Sequence, residues 1–139
     1  MIRPTSNVGL ISKILGKSID TLPDRTVFLL LEAEESGQSR IIGLGILFMM
    51  DQHLAFTDAV VLARYKDDKE LQAQLCKEMI QHSFNIGFGK LVALIPDSRK
   101  SEMGFFQRGG FKREGVLRNS CKINGVVEHQ TVLGVEAWD

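Results

Sequence analysis

The sequence predicts an α/β (α+β) chain: a mixed sheet of about seven strands with flanking helices, in the order β-α-β-β-β-α-β-α-β-β, forming a single domain over 1–139. Three observations carry this reading. The first half holds apolar, β-branched runs separated by turn residues. The period then changes, because Leu71, Leu75, Met79, Ile80 and Phe84 share one helical face while lysines, glutamates and glutamines fill the other. Near the end, Asn124-Gly125 separates two long strand-like runs, and both positions tolerate the positive φ that a two-residue hairpin needs.

Taken in order, "MIRPT" opens as a strand. Val8, Leu10, Ile11, Ile14 and Leu15 follow at helical spacing, with Gly16 as terminator. "RTVFLLLEAE" (25–34) and "RIIGLGILFMM" (40–50) flank the turn residues "ESGQS" and read as an antiparallel hairpin; "LAFTDAVVLA" (54–63) extends it to a meander after a second turn at "DQH". The long helix covers 68–85 and ends at Gly87 and Gly89. "KLVALIPD" (90–97) then gives an apolar strand, so that strand, helix and strand form a right-handed parallel crossover. "SEMGFFQRGGF" predicts a short helix stopped by Gly109 and Gly110. "KREGVLRNSCKI" and "VVEHQTVLGVEAW" are the closing strands, the second reaching Trp138.

Composition narrows the function. The chain has 139 residues with 44% hydrophobic content, enough for one core and too little for two ordinary domains. Seventeen basic and seventeen acidic residues give zero formal net charge, which points away from nucleic acid and from an anionic membrane. The longest uncharged apolar run, 41–50, is half of the roughly 20 residues a membrane helix needs. Cys76 and Cys121 stand far apart without a CxxC pair, which fits a reducing cytoplasm and neither a disulfide framework nor a zinc site. The N-terminus lacks the layout of a secretory signal. His53, His82 and His129 read as surface residues with no metal-ligand spacing, so no metal is expected.

The stretch "VVLARYKDDKELQAQL" (60–75) runs from strand through a charged loop into the long helix. A helix start of this kind can hold phosphate, because its first N–H groups have no intrahelical partner. Phosphate loops usually contain glycine, yet no glycine occurs between Gly45 and Gly87.

"MIRPT", "IIGLGIL" and above all "FFQRGGFKREGVLR" resemble, together with the element order, the GCN5-related N-acetyltransferase (GNAT) superfamily over essentially the whole chain. The segment 110–135 is most similar to the branch acting on ribosomal proteins and aminoglycosides. The resemblance implies acetyl transfer from acetyl-CoA to an amine by direct attack, the acceptor being a small-molecule amine, a peptide N-terminus or a lysine. It also implies a cleft where the strand ending near Ala63 splays from the one beginning near Lys90. The fourth strand would offer a backbone donor to the thioester from Val60, Val61 or Leu62, and the pyrophosphate would meet Lys66, Asp67, Asp68, Lys69, Glu70 and Leu71.

In this sequence Lys69 and Leu71 stand at the family's two small-residue positions, and Asp67, Asp68 and Glu70 bring negative charge. Two readings follow: a solvated helix start with weak CoA affinity, its acids complementing the helix dipole, or a loop that holds CoA through backbone N–H groups and Lys66 or Lys69. Phe106 occupies the place where the family puts a tyrosine that protonates the leaving thiolate, and Arg99 falls near its asparagine. Ser98, Ser101 or a water are the remaining donors. Asp58 and Thr57 lie near positions where relatives place a carboxylate for the amine, on opposite faces of their strand. Tyr65 packs under the loop or lines the cleft. The alternative to an enzyme is a non-catalytic GNAT-fold interaction module, such as a homodimer pairing through its terminal strands; small divergent chains of this look also occur in phage genomes.

Overall fold

The structure is a computed structural model that describes residues 1–137, so the expectation that the last strand reaches Trp138 lies outside the described residues. Among the described residues the elements run β1 (Ile2–Thr5), α1 (Val8–Leu15), β2 (Thr26–Glu35), β3 (Gln38–Met49), β4 (Leu54–Val61), a single 3₁₀ turn (Ala63–Tyr65), α2 (Lys69–Asn85), β5 (Lys90–Pro96), α3 (Lys100–Gly109), β6 (Lys112–Ile123) and β7 (Val126–Glu136). This is the predicted order. The strands form one seven-stranded sheet, β1-β2-β3-β4-β5-β7-β6, in which β4 and β5 run parallel and the other neighbours antiparallel.

Turn chemistry sets both long hairpins. Ser36 and Gly37 adopt φ of 53° and 77°, and Asn124 and Gly125 adopt 49° and 81°, the double left-handed turn that matches the twist of paired strands. Asn7 caps α1 by accepting from the Leu10 N–H at 3.1 Å, and Gly16, at φ 72°, closes it by donating to the Ser12 carbonyl.

The apolar run of β2 is buried without alternation because the sheet is covered on both faces. Phe28 and Leu30 join Leu44 and Ile46 of β3 against Ile11 of α1. Leu29 and Leu31 face the other way, into the larger core with Leu75 and Met79 of α2 and Phe105 of α3. Helices α2 and α3 approach so closely that a Cβ on Gly109 would run into the Cys76 side chain. Burial there pushes the Cys76 thiol up to about 12, so it is an inert packing residue. No helix among the described residues is long and apolar enough to cross a membrane.

The sheet parts at its parallel pair. β4 and β5 are joined at Leu54–Lys90, Ala55–Leu91 and Phe56–Val92, and no further rung follows among the described residues. Each strand meanwhile stays paired on its other side, β4 to β3 as far as Val61 and β5 to β7 as far as Pro96. The two therefore part as rigid edges, and the expected cleft opens between them. Gly43 on β3 lies under this region, where an added Cβ would run into the Val60 carbonyl oxygen.

Gly43→Ala is expected to push β4 away from β3 and to destabilise the chain by roughly 1–3 kcal/mol, the cost of an overpacked contact. Thermal unfolding followed by circular dichroism would show this as a fall of several degrees in Tm.

Candidate active site

Strand alternation determines what β4 presents to the gap. The Leu62 N–H donates to the Ile42 carbonyl of β3 at 2.8 Å, so Val60 and Asp58, two and four residues before it, also direct their backbone groups toward β3. The N–H groups of Val61 and Ala59 then point into the gap. That of Ala59 is taken by the Asp58 carboxylate at 2.8 Å. Val61 is thus the member of the expected Val60, Val61, Leu62 set whose backbone donor faces the open side.

Side chains alternate in the same way. Asp58 pairs with Ile46, which packs beneath α1, so its carboxyl belongs to the α1 face. Ala59 pairs with Gly45 on the α2 face. On that second face the gap widens into a cleft of about 390 Å³, walled by Val61, Lys66, Gln72, Ser101, Glu102 and Phe105 among others. Glu102 stands in the first turn of α3, and its carboxyl and that of Asp58 act on each other's ionisation.

Burial and mutual charge act on both carboxyls. Burial raises the Asp58 carboxyl above the ordinary aspartate range, against the pull of the Ala59 N–H and of Arg99. Burial and then the Asp58 charge push Glu102 up to about 7, with Arg99 opposing. Their interaction raises Glu102 and lowers Asp58, so it favours the proton on Glu102 and the charge on Asp58. Arg99 Nη1 stands 3.8 Å from Glu102 Oε2, a charge contact too long to be a hydrogen bond.

The loop after β4 bonds to itself. The N–H groups of Tyr65, Lys66, Asp68 and Lys69 donate to the carbonyls of Leu62, Ala63, Tyr65 and Asp67, and the Asp68 side chain caps α2 by accepting from the Leu71 N–H at 3.1 Å. Gln72, 3% exposed, donates to the carbonyls of Tyr65 and Lys66 at 2.9 and 2.8 Å and accepts from Arg108 Nη2 of α3 at 2.8 Å. This uses both donors and the acceptor of its amide and ties loop, α2 and α3 together.

The remaining sequence-predicted residues are placed as follows. Lys66, Asp67, Asp68, Lys69 and Glu70 are exposed, and Leu71 packs against the core. Lys66 is the loop residue that reaches the cleft wall. Thr57 is buried and donates its hydroxyl to the Ile46 carbonyl at 2.9 Å. Ser101 is exposed at the cleft rim. Phe106 is fully buried, edge-on to Phe105 and Phe111 with ring centres 5.2 and 4.9 Å away, and Phe105 forms the cleft wall in its place. Tyr65 packs into the core under the loop, with the Arg64 guanidinium 5.0 Å above its ring.

Reading the sequence does not find Glu102 or Gln72. A glutamate in the opening turn of a helix reads as a dipole partner, and a glutamine among lysines and glutamates reads as solvated surface.

A carboxyl raised by folding holds its proton more tightly in the folded chain than in the unfolded one. The stabilisation from Glu102 is therefore fully present below the ordinary glutamate value of 4.5 and is lost as the pH rises through about 7, and the raised Asp58 carboxyl acts in the same direction. Tm measured across this range should fall for the unmodified chain, and fall less for Glu102→Gln.

No sequence-family profile matches the chain, and no curated protein sequence matches it either. Solved structures do. A variant of the spermidine N-acetyltransferase of Vibrio cholerae superposes with a TM-score of 0.77 at 13% identity, covering 98% of this chain and 94% of the other. A GNAT family acetyltransferase of Elizabethkingia anophelis, solved with acetyl-CoA bound, gives 0.66 at 19% identity over 98% and 97%. The parted parallel strands, the element order and these superpositions together establish that this chain has the GNAT fold.

Proposed function

We propose that this chain is an N-acetyltransferase that moves an acetyl group from acetyl-CoA to an amine by direct attack. One observation carries the reading: the gap between β4 and β5 brings the Val61 N–H, a donor of the kind a developing oxyanion needs, close to a carboxyl pair able to take a proton from an amine. The neighbours support the acceptor class, since one is a spermidine acetyltransferase, and they support the donor, since another was solved with acetyl-CoA.

The residues fit the two ends of acetyl-CoA unequally. At the thioester end, Val61 offers its N–H, Phe105 an apolar wall, and the cleft the room. At the pyrophosphate end the N–H groups of Tyr65, Lys66, Asp68, Lys69 and Leu71 are bonded within the segment, and Asp67, Asp68 and Glu70 add repulsion. Lys66 is the cation left for the phosphates there. When bound, acetyl-CoA supplies the activated acetyl group. The chain's own task is to orient the carbonyl through Val61, exclude water with Phe105, and take the amine's proton at Asp58. Pairing of two copies along β6, the sheet edge where Val116 and Leu117 are exposed, is the arrangement a homodimer would use.

The test is thiol release from acetyl-CoA in the presence of a panel of amines. Transfer should be measurable, and Asp58→Asn should lower kcat/KM by about 100-fold, the lower range of general base catalysis. No turnover and no calorimetric binding of acetyl-CoA would instead favour the non-catalytic interaction module.

The self-bonded loop gives a second expectation. Replacing Asp67, Lys69 and Leu71 together by glycine should tighten CoA binding in calorimetric titration. The same variant should melt lower without ligand, because each glycine inside a helix costs about 1 kcal/mol.

A further inference from the structure

We propose that the cleft grips its acyl donor by the 4′-phosphopantetheine arm alone, with Lys66 and Lys100 sharing the arm's single phosphate and the nucleotide half of CoA adding little affinity; this rests on the acyl-transfer reading above. The ligand class follows from how the cleft divides. Ala59, Val61 and Phe105 give it an apolar wall that suits an extended chain ending in a thioester. Its exposed lips are cationic: Lys66 stands on the one after β4, and Arg99 and Lys100 on the one where α3 begins. Arg99 has Glu102 as a charge partner at 3.8 Å. Lys66 and Lys100 make no ion pair among the described residues.

Both lips are held in place. The Lys66 carbonyl accepts from Gln72 Nε2 at 2.8 Å, and Gln72 is tied to α3 through Arg108. On the facing lip the Asp97 N–H donates to the His129 carbonyl at 3.1 Å, the Ser98 N–H to Glu128 Oε1 at 2.7 Å, and the Arg99 N–H to the Pro96 carbonyl at 2.9 Å. The connection that delivers Lys100 is thus anchored to β7 and to the end of β5. Two cations carried on fixed backbone need little reordering to close on one anion. A phosphate monoester carries about −1.5 to −2 charge near neutral pH, which two lysines balance.

A second phosphate is recognised less well. Continuing along the loop past Lys66, it would meet Asp67, Asp68 and Glu70. Of the first N–H groups of α2, that of Lys69 already donates to the Asp67 carbonyl at 3.1 Å and that of Leu71 to the Asp68 carboxylate at 3.1 Å. Repulsion from the three acids offsets the attraction of the lips, so recognition stops at the first phosphate. A thioester built on 4′-phosphopantetheine then serves as donor with or without a nucleotide attached.

Calorimetric titration of the full chain with pantetheine, 4′-phosphopantetheine and CoA, each reduced and at matched low salt, is the test. 4′-Phosphopantetheine should bind at least about tenfold tighter than pantetheine, and CoA within about threefold of 4′-phosphopantetheine. Added salt should weaken the phosphorylated ligand and leave pantetheine unchanged. Lys66→Gln combined with Lys100→Gln alters two exposed side chains, so the fold should survive, while 4′-phosphopantetheine should fall to the affinity of pantetheine. CoA tighter than 4′-phosphopantetheine by more than threefold would reveal recognition of the diphosphate or nucleotide and overturn the proposal. Equal affinity for pantetheine and 4′-phosphopantetheine, full affinity in the lysine variant, or no binding of 4′-phosphopantetheine by the folded chain would overturn it too. Transfer from S-acetyl-4′-phosphopantetheine to an amine is measured separately: binding as expected without transfer from any donor would overturn the transferase reading and not this site.

Discussion

Three parallel rungs join β4 to β5, after which the strands diverge while each remains fully paired to its other neighbour. That arrangement is a constraint as much as an opening. A parallel pair released on one side only cannot fray, because β3 and β7 hold the parted edges in place, and the groups exposed along them keep fixed directions. The Val61 N–H points into the gap for this reason. The Ala59 N–H would do the same had Asp58 not bonded it, so a single carboxylate both satisfies a freed strand donor and faces Glu102. Close the gap, and α3 could not bring its first turn to β4.

The support for α3 comes from the opposite side of the cleft. Gly109 lets α3 settle directly onto Cys76 of α2, and the Arg108–Gln72 bond fixes the two helices relative to the loop. Because Gln72 also holds the carbonyls of Tyr65 and Lys66, the loop that would meet a phosphate and the helix that carries Glu102 belong to one buried polar network. The chain has spent the N–H groups of Tyr65, Lys66, Asp68, Lys69 and Leu71 on internal order, whereas Val61 keeps a backbone donor toward the gap.

The fold was legible because its signals are local. The strand 112–123 follows from its composition and the Asn-Gly turn after it, and α2 starts one residue later than its periodicity implied because Asp68 is spent as the cap. The site was legible only in part. Asp58 could be placed on a strand face by alternation, but its partner Glu102 lies on a different element, and their meeting depends on where two strands part. Phe105 and Phe106 show the same limit: spacing along the chain located the pair, and the rotational phase of α3 decided which one lines the cleft. Gln72 looks like surface in sequence and is buried because the loop folds back over it.

The central claim is that the gap between β4 and β5 is the working site. Backbone amide NMR of the 15N-labelled chain, titrated with acetyl-CoA, tests it most directly. The largest shifts should fall on Ala59, Val61, Ser101 and Glu102, with smaller ones at Lys66. Shifts confined to the β6–β7 hairpin, or none at saturating ligand, would contradict it.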